Sequence, residues 1–368
     1  MIWVISMSCE AGQLPPIRTV FLIMMENTSW GDINNSSNAP YINNVLLPMA
    51  SHCEAYSNLP SLHPSLPNYL WIEAGTNFGI TDDNDPVLDH QGTTNHLVTL
   101  LNNTGISWRA YQEHIDSNSL PLSTCCGWSC RHNPFLYFDD VTGTNNAYYP
   151  YGIAHIRPYS ELAGDLTNHA VARYNFIIPD DCHDMHDVCG LGNQTLQGDT
   201  WLSQEVPNIL NSQAYSDGGV LFIAFDESYS ADTRLTMIAL SPFAKGAGYG
   251  SFVAADHSSL LRTLQEIFNV MPYLGSVSNA NNLSDLFLVP STNLQICAFS
   301  RINPDLFRFS ISNLSTNVPF YLQTSTNLLQ WRDVSTNVAA NSSSDLLVTD
   351  SVANACSPIF YRVRQTLH

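Results

Sequence analysis

Lysine is nearly missing from this chain of 368 residues: Lys245 is the only one, and lysine and arginine together number 13 against 32 acidic residues. The formal net charge of −19 arises from few charges overall, since charged residues make up only 12% of the sequence. Phosphate backbones and anionic bilayers are gripped by basic patches, so no nucleic-acid partner and no anionic membrane face is expected. A small anionic substrate stays open, provided that a metal ion supplies positive charge locally. Apolar runs long enough to span a bilayer are missing too, so no transmembrane segment is expected. Residues 1–12 are apolar but lack a basic start, and residues 1–18 read as the remnant of an export signal.

Cysteine, by contrast, is plentiful at nine residues. Cys125, Cys126 and Cys130 crowd one segment, and Cys182 and Cys189 flank another. The repeated C-x-x-C pairs of a structural zinc site are absent, so disulfides in an oxidising compartment are the better reading. A secreted or periplasmic location follows. An odd total leaves one cysteine over.

Apolar strand-like runs alternate with helix-like segments from Thr19 to about Phe287. The runs are 19–25, 175–178, 220–225 and 235–240; the helix candidates are 66–74, 202–211 and 257–268. Such alternation predicts an α/β fold with a mostly parallel sheet flanked by helices, in a catalytic domain over 19–290. Residues 117–151 read as a long irregular excursion. After Val289-Pro290 the texture becomes Ser, Thr and Asn with alternating apolar positions, which predicts a small all-β, sandwich-like accessory domain over 291–368. Cys297 and Cys356 stand near its ends and could staple it. No catalytic constellation is legible there, and a spacer or a module binding a surface or glycan is the expected role.

Two of the apolar runs end in oxygen-rich pairs, Glu26-Asn27 and Asp226-Glu227. Ligands of open α/β sheets bind outside the carboxyl ends of the strands, so these oxygen-rich tips are candidates to share a hard cation. Ser65, in Ser61-Leu62-His63-Pro64-Ser65-Leu66-Pro67-Asn68, falls at a helix start, where it is either a cap or a nucleophile. Pro179-Asp180-Asp181-Cys182-His183-Asp184-Met185-His186-Asp187 gathers carboxylates and imidazoles after a strand; His183 and His186 are three apart and would share a face on a helical turn. His132 and His257 are each a chemical candidate or a structural histidine. Asp199 is expected to cap a helix or to orient a histidine.

Taken in order, these segments resemble the phosphoesterase family of bacterial acid phosphatases and non-specific phospholipases C, within the alkaline-phosphatase-like superfamily. The matching stretches include Met24-Met25-Glu26-Asn27, 63–69, 79–83, 131–135, 178–187, 198–202, 225–227 and 257–263. The resemblance implies an alkaline-phosphatase-like sheet and a divalent metal (calcium, magnesium, manganese or zinc) held by Glu26, Asn27, Ser65, Asp226 and Glu227. It implies Ser65 as nucleophile, and His132 and His186 as catalytic groups at the phosphoryl centre. His183, His257 and Asn68 are implied to contact substrate. A single ion is favoured, because the late strand offers Asp-Glu where two-metal relatives carry Asp-His. The expected activity is a metal-dependent, acid-phosphatase-like phosphomonoesterase working through phosphoserine. A phosphodiesterase of phospholipase C type would use nearly the same residues, and an inactive surface- or carbohydrate-binding protein is the reading from another class.

Overall fold

The computed structural model describes residues 2–4, 14–125, 127–190, 192–228, 230–288, 295–303, 306–312, 314, 319–326, 331–341, 343–349 and 359–365. The chain divides into two compact units, one of Pro16–Leu288 and one of Met1–Pro15 with Val289–His368.

Strand β1 (Ile2–Val4) belongs to the second unit. The first unit is built on an eight-stranded sheet of β2 (Thr19–Met25), β3 (Ser51–Cys53), β4 (Trp108–Gln112), β5 (Ile156–Pro158), β6 (Tyr174–Ile178), β7 (Gly219–Phe225), β8 (Met237–Leu240) and β9 (Tyr249–Ser251). Their order is β5-β4-β6-β2-β7-β8-β3-β9, and only β8 runs antiparallel to its neighbours. β2 and β7 occupy the middle. Their unbroken apolar sequences suit strands covered on both faces, and every residue of β7 is buried. The two pair in parallel with Met25 opposite Phe225. Their acidic tips therefore leave the sheet side by side, although 200 residues separate them in the chain.

Helices α1 (Ser65–Ala74), α2 (Gln194–Leu210) and α3 (His257–Phe268) carry the chemistry-bearing segments of the sheet's flanks. α3 begins in a capping box made by Asp256 and Ser259, and Trp71 of α1 donates to Ser258 at 2.9 Å. α2 starts eight residues before its expected first residue, because Asn193 caps it by accepting from Leu196 N–H. The polar first half hides this start from an apolar-period reading. Asp199 consequently lies inside α2, and its carboxylate accepts from the backbone N–H groups of Tyr41 and Ile42. It neither caps the helix that follows it nor orients a histidine.

A buried ion cluster braces α1 from behind. His96 is fully enclosed, 2.9 Å from Glu73 of α1 through Nδ1 and 2.9 Å from Asp140 through Nε2. Burial opposes its charge, but hydrogen bonds to Asp140 and Glu73 prevail and raise its pKa from 6.5 to about 9. Burial pushes the Glu73 carboxyl up while His96 pulls it back. His96→Ala strips a buried carboxylate of its partner and is expected to cost about 3–5 kcal/mol. Because the folded pKa is raised, the stabilisation is complete below about pH 6.5 and is lost as pH rises through about 9. Urea unfolding at about pH 6 and about pH 9.5 should show this decline in the wild type and a weaker one in the variant.

The second unit contains β10 (Gln295–Arg301), β11 (Leu306–Ser312), β12 (Pro319–Ser325), β13 (Arg332–Val338), β14 (Ser343–Thr349) and β15 (Ile359–Gln365). They form sheets of order β1-β15-β12-β13 and β10-β11-β14. β11 alternates buried and open positions, as expected where one sheet face covers a core. That core holds Phe307, Phe309, Ile311, Phe320, Leu322 and Tyr361. Cys297 corrects the expected staple: it is a free, exposed thiol at the register shift between Ile296 and Ala298, directed at the Ser310 carbonyl. Cys356 lies outside the described residues.

Candidate active site

The register of β2 and β7 sets the first elements of the site. Glu26 and Asp226 follow the two strands directly, and Asp226 N–H donates to the Met25 carbonyl at 3.0 Å. Asn27 turns with φ of 53°, a left-handed conformation that asparagine tolerates better than most residues. The turn presents the Asn27 N–H to Asp226 Oδ1 at 3.1 Å. Glu227 is held from the other side by His63 Nδ1 at 2.5 Å and by the Asn68 amide at 3.2 Å.

Ser65 is the first residue of α1. Its hydroxyl makes no capping bond, because Asp83 Oδ1 accepts the Leu66 N–H at 2.9 Å. The remote carboxylate takes over the cap and leaves the serine hydroxyl to donate to Glu26 Oε2 at 3.1 Å. One helical turn later, Tyr69 donates its hydroxyl to Glu26 Oε1. The two side chains are four apart, the spacing that stacks groups on one helix face.

The loop after β6 closes the site. Glu26 N–H donates to the Asp184 carbonyl at 2.7 Å, so this loop is tied directly to the tip of β2. Met185 adopts φ of 79°, in the left-handed region, and the loop is bracketed by the Cys182–Cys189 disulfide. Gly198 of α2 allows the close approach: a Cβ there would lie 2.4 Å from the Met185 side chain and 2.8 Å from the His183 carbonyl. His132 stacks on Tyr69 with 5.3 Å between ring centres. Its Nε2 lies 3.3 Å from Glu26 and its Nδ1 lies 3.2 Å from Asp184.

This arrangement is electrostatically expensive as it stands. Glu26, Asp184, Asp226 and Glu227 are all essentially sealed from solvent. Burial, then the charges of Asp226 and Asp184, pushes the Glu26 carboxyl well above its usual range. Burial, then Glu227, raises Asp226 to about 7. Burial also lifts Asp184 well above the carboxylate range, with Asp181 and Asp226 adding to the effect. His132 is driven the other way, firmly neutral, by burial and then by Arg131 and His186. Several enclosed atoms lack any hydrogen-bond partner: Asn27 Oδ1, Asp226 Oδ2, Asp184 Oδ2 and both ring nitrogens of His132. Orphaned oxygen and imidazole donors among crowded carboxylates fit a divalent ion. Donor atoms of Glu26, His132 and Asp184 lie within 4.8 Å of one another.

The expected site residues are thus distributed unevenly. Glu26, Asn27, Ser65 and Asp226 converge, with His132 beside them. Glu227 adjoins Asp226 but leans on His63 and Asn68 through one oxygen. Asn68 is completely buried, and its amide donates to the Leu62 and Pro64 carbonyls as well as to Glu227. His257 is buried too; its Nε2 donates to the Asp226 carbonyl at 2.5 Å and its Nδ1 accepts from Tyr56 at 2.8 Å. His186 Nδ1 meets Asp187 at 2.7 Å, and its ring centre is 5.8 Å from that of His132. His183 turns to Glu113 at 2.8 Å and stacks near Trp201, so it does not share the face of His186. The left-handed Met185 between them breaks the helical spacing that would have aligned them. Tyr69, Asp184, Asp83 and Arg131 complete the site without having been singled out. The i, i+4 spacing from Ser65 was a usable signal for Tyr69; nothing in the sequence marks Asp83 as a cap.

Residues 51–271 match the model of the phosphoesterase family. The protein is therefore a phosphoric ester hydrolase. The match covers more than half of the sequence, and the chain belongs to the phosphoesterase family. It is 25% identical over 278 residues to the phosphatidylinositol-3-phosphatase of Mycobacterium tuberculosis, an alignment covering 75% of this chain and 85% of that protein. It is 25% identical over 291 residues to a probable acid phosphatase of Kluyveromyces lactis, covering 72% of this chain and 64% of the relative. It is 29% identical over 180 residues to the phosphate-repressible acid phosphatase of Penicillium chrysogenum, covering 47% and 41%. The chain thus spans less than two thirds of the two fungal relatives. Among solved structures, a Vibrio parahaemolyticus protein of the alkaline phosphatase superfamily aligns at 9% identity and a TM-score of 0.48, covering 89% of this chain and 84% of its own. No helix among the described residues is long and apolar enough to cross a membrane.

Proposed function

We propose that the protein is a metal-dependent phosphomonoesterase that transfers the phosphoryl group to Ser65 and then to water. The observation that carries this reading is the Ser65 hydroxyl, relieved of capping by Asp83 and donated to Glu26 among sealed carboxylates. A divalent ion held by Glu26, Asn27, Asp226 and Glu227, beside Ser65, would offset their charge and lower the pKa of the serine hydroxyl.

The chain's own residues then divide the work. Ser65 Oγ attacks phosphorus while its proton has an acceptor in Glu26 Oε2. The bond from phosphorus to the ester oxygen breaks, and the alcohol leaves with a proton. His186, half-buried with Nδ1–H fixed on Asp187, exchanges protons with the departing alcohol and with the water that later cleaves phosphoserine. His132, neutral and stacked on Tyr69, orients the phosphoryl oxygens. Asn68 and His257 position Glu227 and Asp226, and His183 secures the loop from outside. The names of the relatives, all monoester phosphatases, favour a monoester over a phospholipase C-type diester. A phosphorylated alcohol or a phosphoinositide is the substrate class they point to. Secretion is consistent with the disulfide, and the second unit would serve attachment to a surface or glycan.

The intermediate can be trapped. Rapid acid quenching during turnover of an aryl phosphate, followed by peptide mass spectrometry, should find a phosphoryl group on Ser65. Turnover with no phosphorylated Ser65 under conditions of accumulating product would point to direct attack by water.

A further inference from the structure

The site described so far is rich in negative charge, yet it must accept a phosphate dianion. One side chain at its rim resolves this conflict. Arg131 follows Cys130 and precedes His132 in a single 3₁₀ turn, so the backbone that delivers His132 to Glu26 delivers a guanidinium beside it. Arg131 Nη2 stands 3.3 Å from His186 Nε2. Its charge is felt by His132 and by Asp181.

The pairing of Arg131 differs from that of five other cations in the first unit. Arg157, Arg234, Arg262 and Lys245 each hold a carboxylate oxygen at 2.5–2.8 Å, and Arg109 is bonded directly to Asp165. For Arg131 the nearest such oxygen belongs to Asp83, at 3.6 Å. Its buried Nε has no hydrogen-bond partner at all. Asp83 is meanwhile engaged in capping α1 through its other oxygen. An arginine fork held in this way, always charged and with a donor to spare, matches two oxygens of one phosphoryl group.

We propose that Arg131 is the phosphate-recognising residue of this site and sets its preference for monoesters over diesters. The inference rests on the reading of Ser65 as nucleophile. A monoester carries two negative charges and three unsubstituted oxygens, so two can face the guanidinium while a third faces the metal side. A diester carries one charge and one oxygen fewer, so it cannot fill both positions and gains less from the cation. Arg131 would exchange its contact with the His186 ring for phosphoryl oxygens, which releases His186 Nε2 for proton exchange.

The test compares wild type, R131Q and R131K on 4-nitrophenyl phosphate and bis(4-nitrophenyl) phosphate, with inorganic phosphate as competitive inhibitor. For R131Q we expect kcat/KM on the monoester to fall about 10²–10³-fold. The diester rate should fall about tenfold or less, and the phosphate inhibition constant should rise about tenfold or more. R131K, keeping charge without the fork, should lie between. Equal losses on both esters with an unchanged phosphate inhibition constant would overturn the proposal, because a purely structural role moves both substrates alike. Should R131Q melt far below wild type, R131K carries the decision through the phosphate constant alone: a rise supports the role and no change refutes it. Full activity in S65A would instead refute the nucleophile assignment, whatever the arginine variants do.

Discussion

Alanine at position 65 is expected to lower kcat/KM on an aryl phosphate by about 10³- to 10⁶-fold, the range lost when a catalytic nucleophile is removed. The wide range reflects how much catalysis the remaining electrostatics and binding sustain without covalent chemistry. Stability should change by only about 1 kcal/mol, because one hydrogen bond to Glu26 is lost and the Asp83 cap of α1 is untouched. That dissociation of activity from stability separates the nucleophile from a helix cap. If Ser65 capped α1, the reverse pattern would appear: a drop in melting temperature of several degrees with turnover retained. Parallel kinetics and thermal melts of the one variant decide between them.

Removing divalent metal with a strong chelator should bring activity to background and lower the melting temperature by roughly 5–10 °C, since an ion in hundredfold excess over its dissociation constant contributes about 3 kcal/mol. Adding back calcium, magnesium, manganese or zinc should restore both, and the ion that restores both together is the resident one. The metal-free protein should also show an inverted pH response. Asp226 has its folded pKa raised from 3.8 to about 7, first by burial and then by Glu227. A carboxyl raised in this way binds more protons when folded, so its ionisation destabilises the fold as pH climbs from about 4 to about 7. Chelated protein should therefore melt higher at about pH 5 than at about pH 7.5, whereas the metal-loaded protein should lose this acid advantage. Identical melting curves and full activity after complete chelation would contradict a metal at the β2–β7 tips.

Much of this layout was legible from residue order. The runs at Thr19–Met25 and Gly219–Phe225 are too uniformly apolar to face water on either side, so a central position in a parallel sheet follows, and oxygen-rich pairs at their ends announce a site. What periodicity could not carry was local direction. The three-residue spacing of His183 and His186 suggests a helical turn, and one left-handed residue at Met185 undoes that geometry while Asp184 comes to lie against His132. β4 carries no strand signature, since Trp108, Arg109, Ala110, Tyr111 and Gln112 show neither a pure apolar run nor strict alternation. The capping of α1 by Asp83 depends on a contact across 17 residues, and a sequence window centred on Ser65 holds no trace of it.

The pairing of β2 with β7 has a mechanical consequence. Neighbouring strands are locked about 4.8 Å apart along a ladder of backbone bonds, so the gap between the two acidic tips is a property of the sheet's interior and not of any connecting segment. Changes of length in the segments that join the strands leave that gap unaltered. The distance between the two tips is in this way inherited from the strand ladder, whatever the length of chain that connects them.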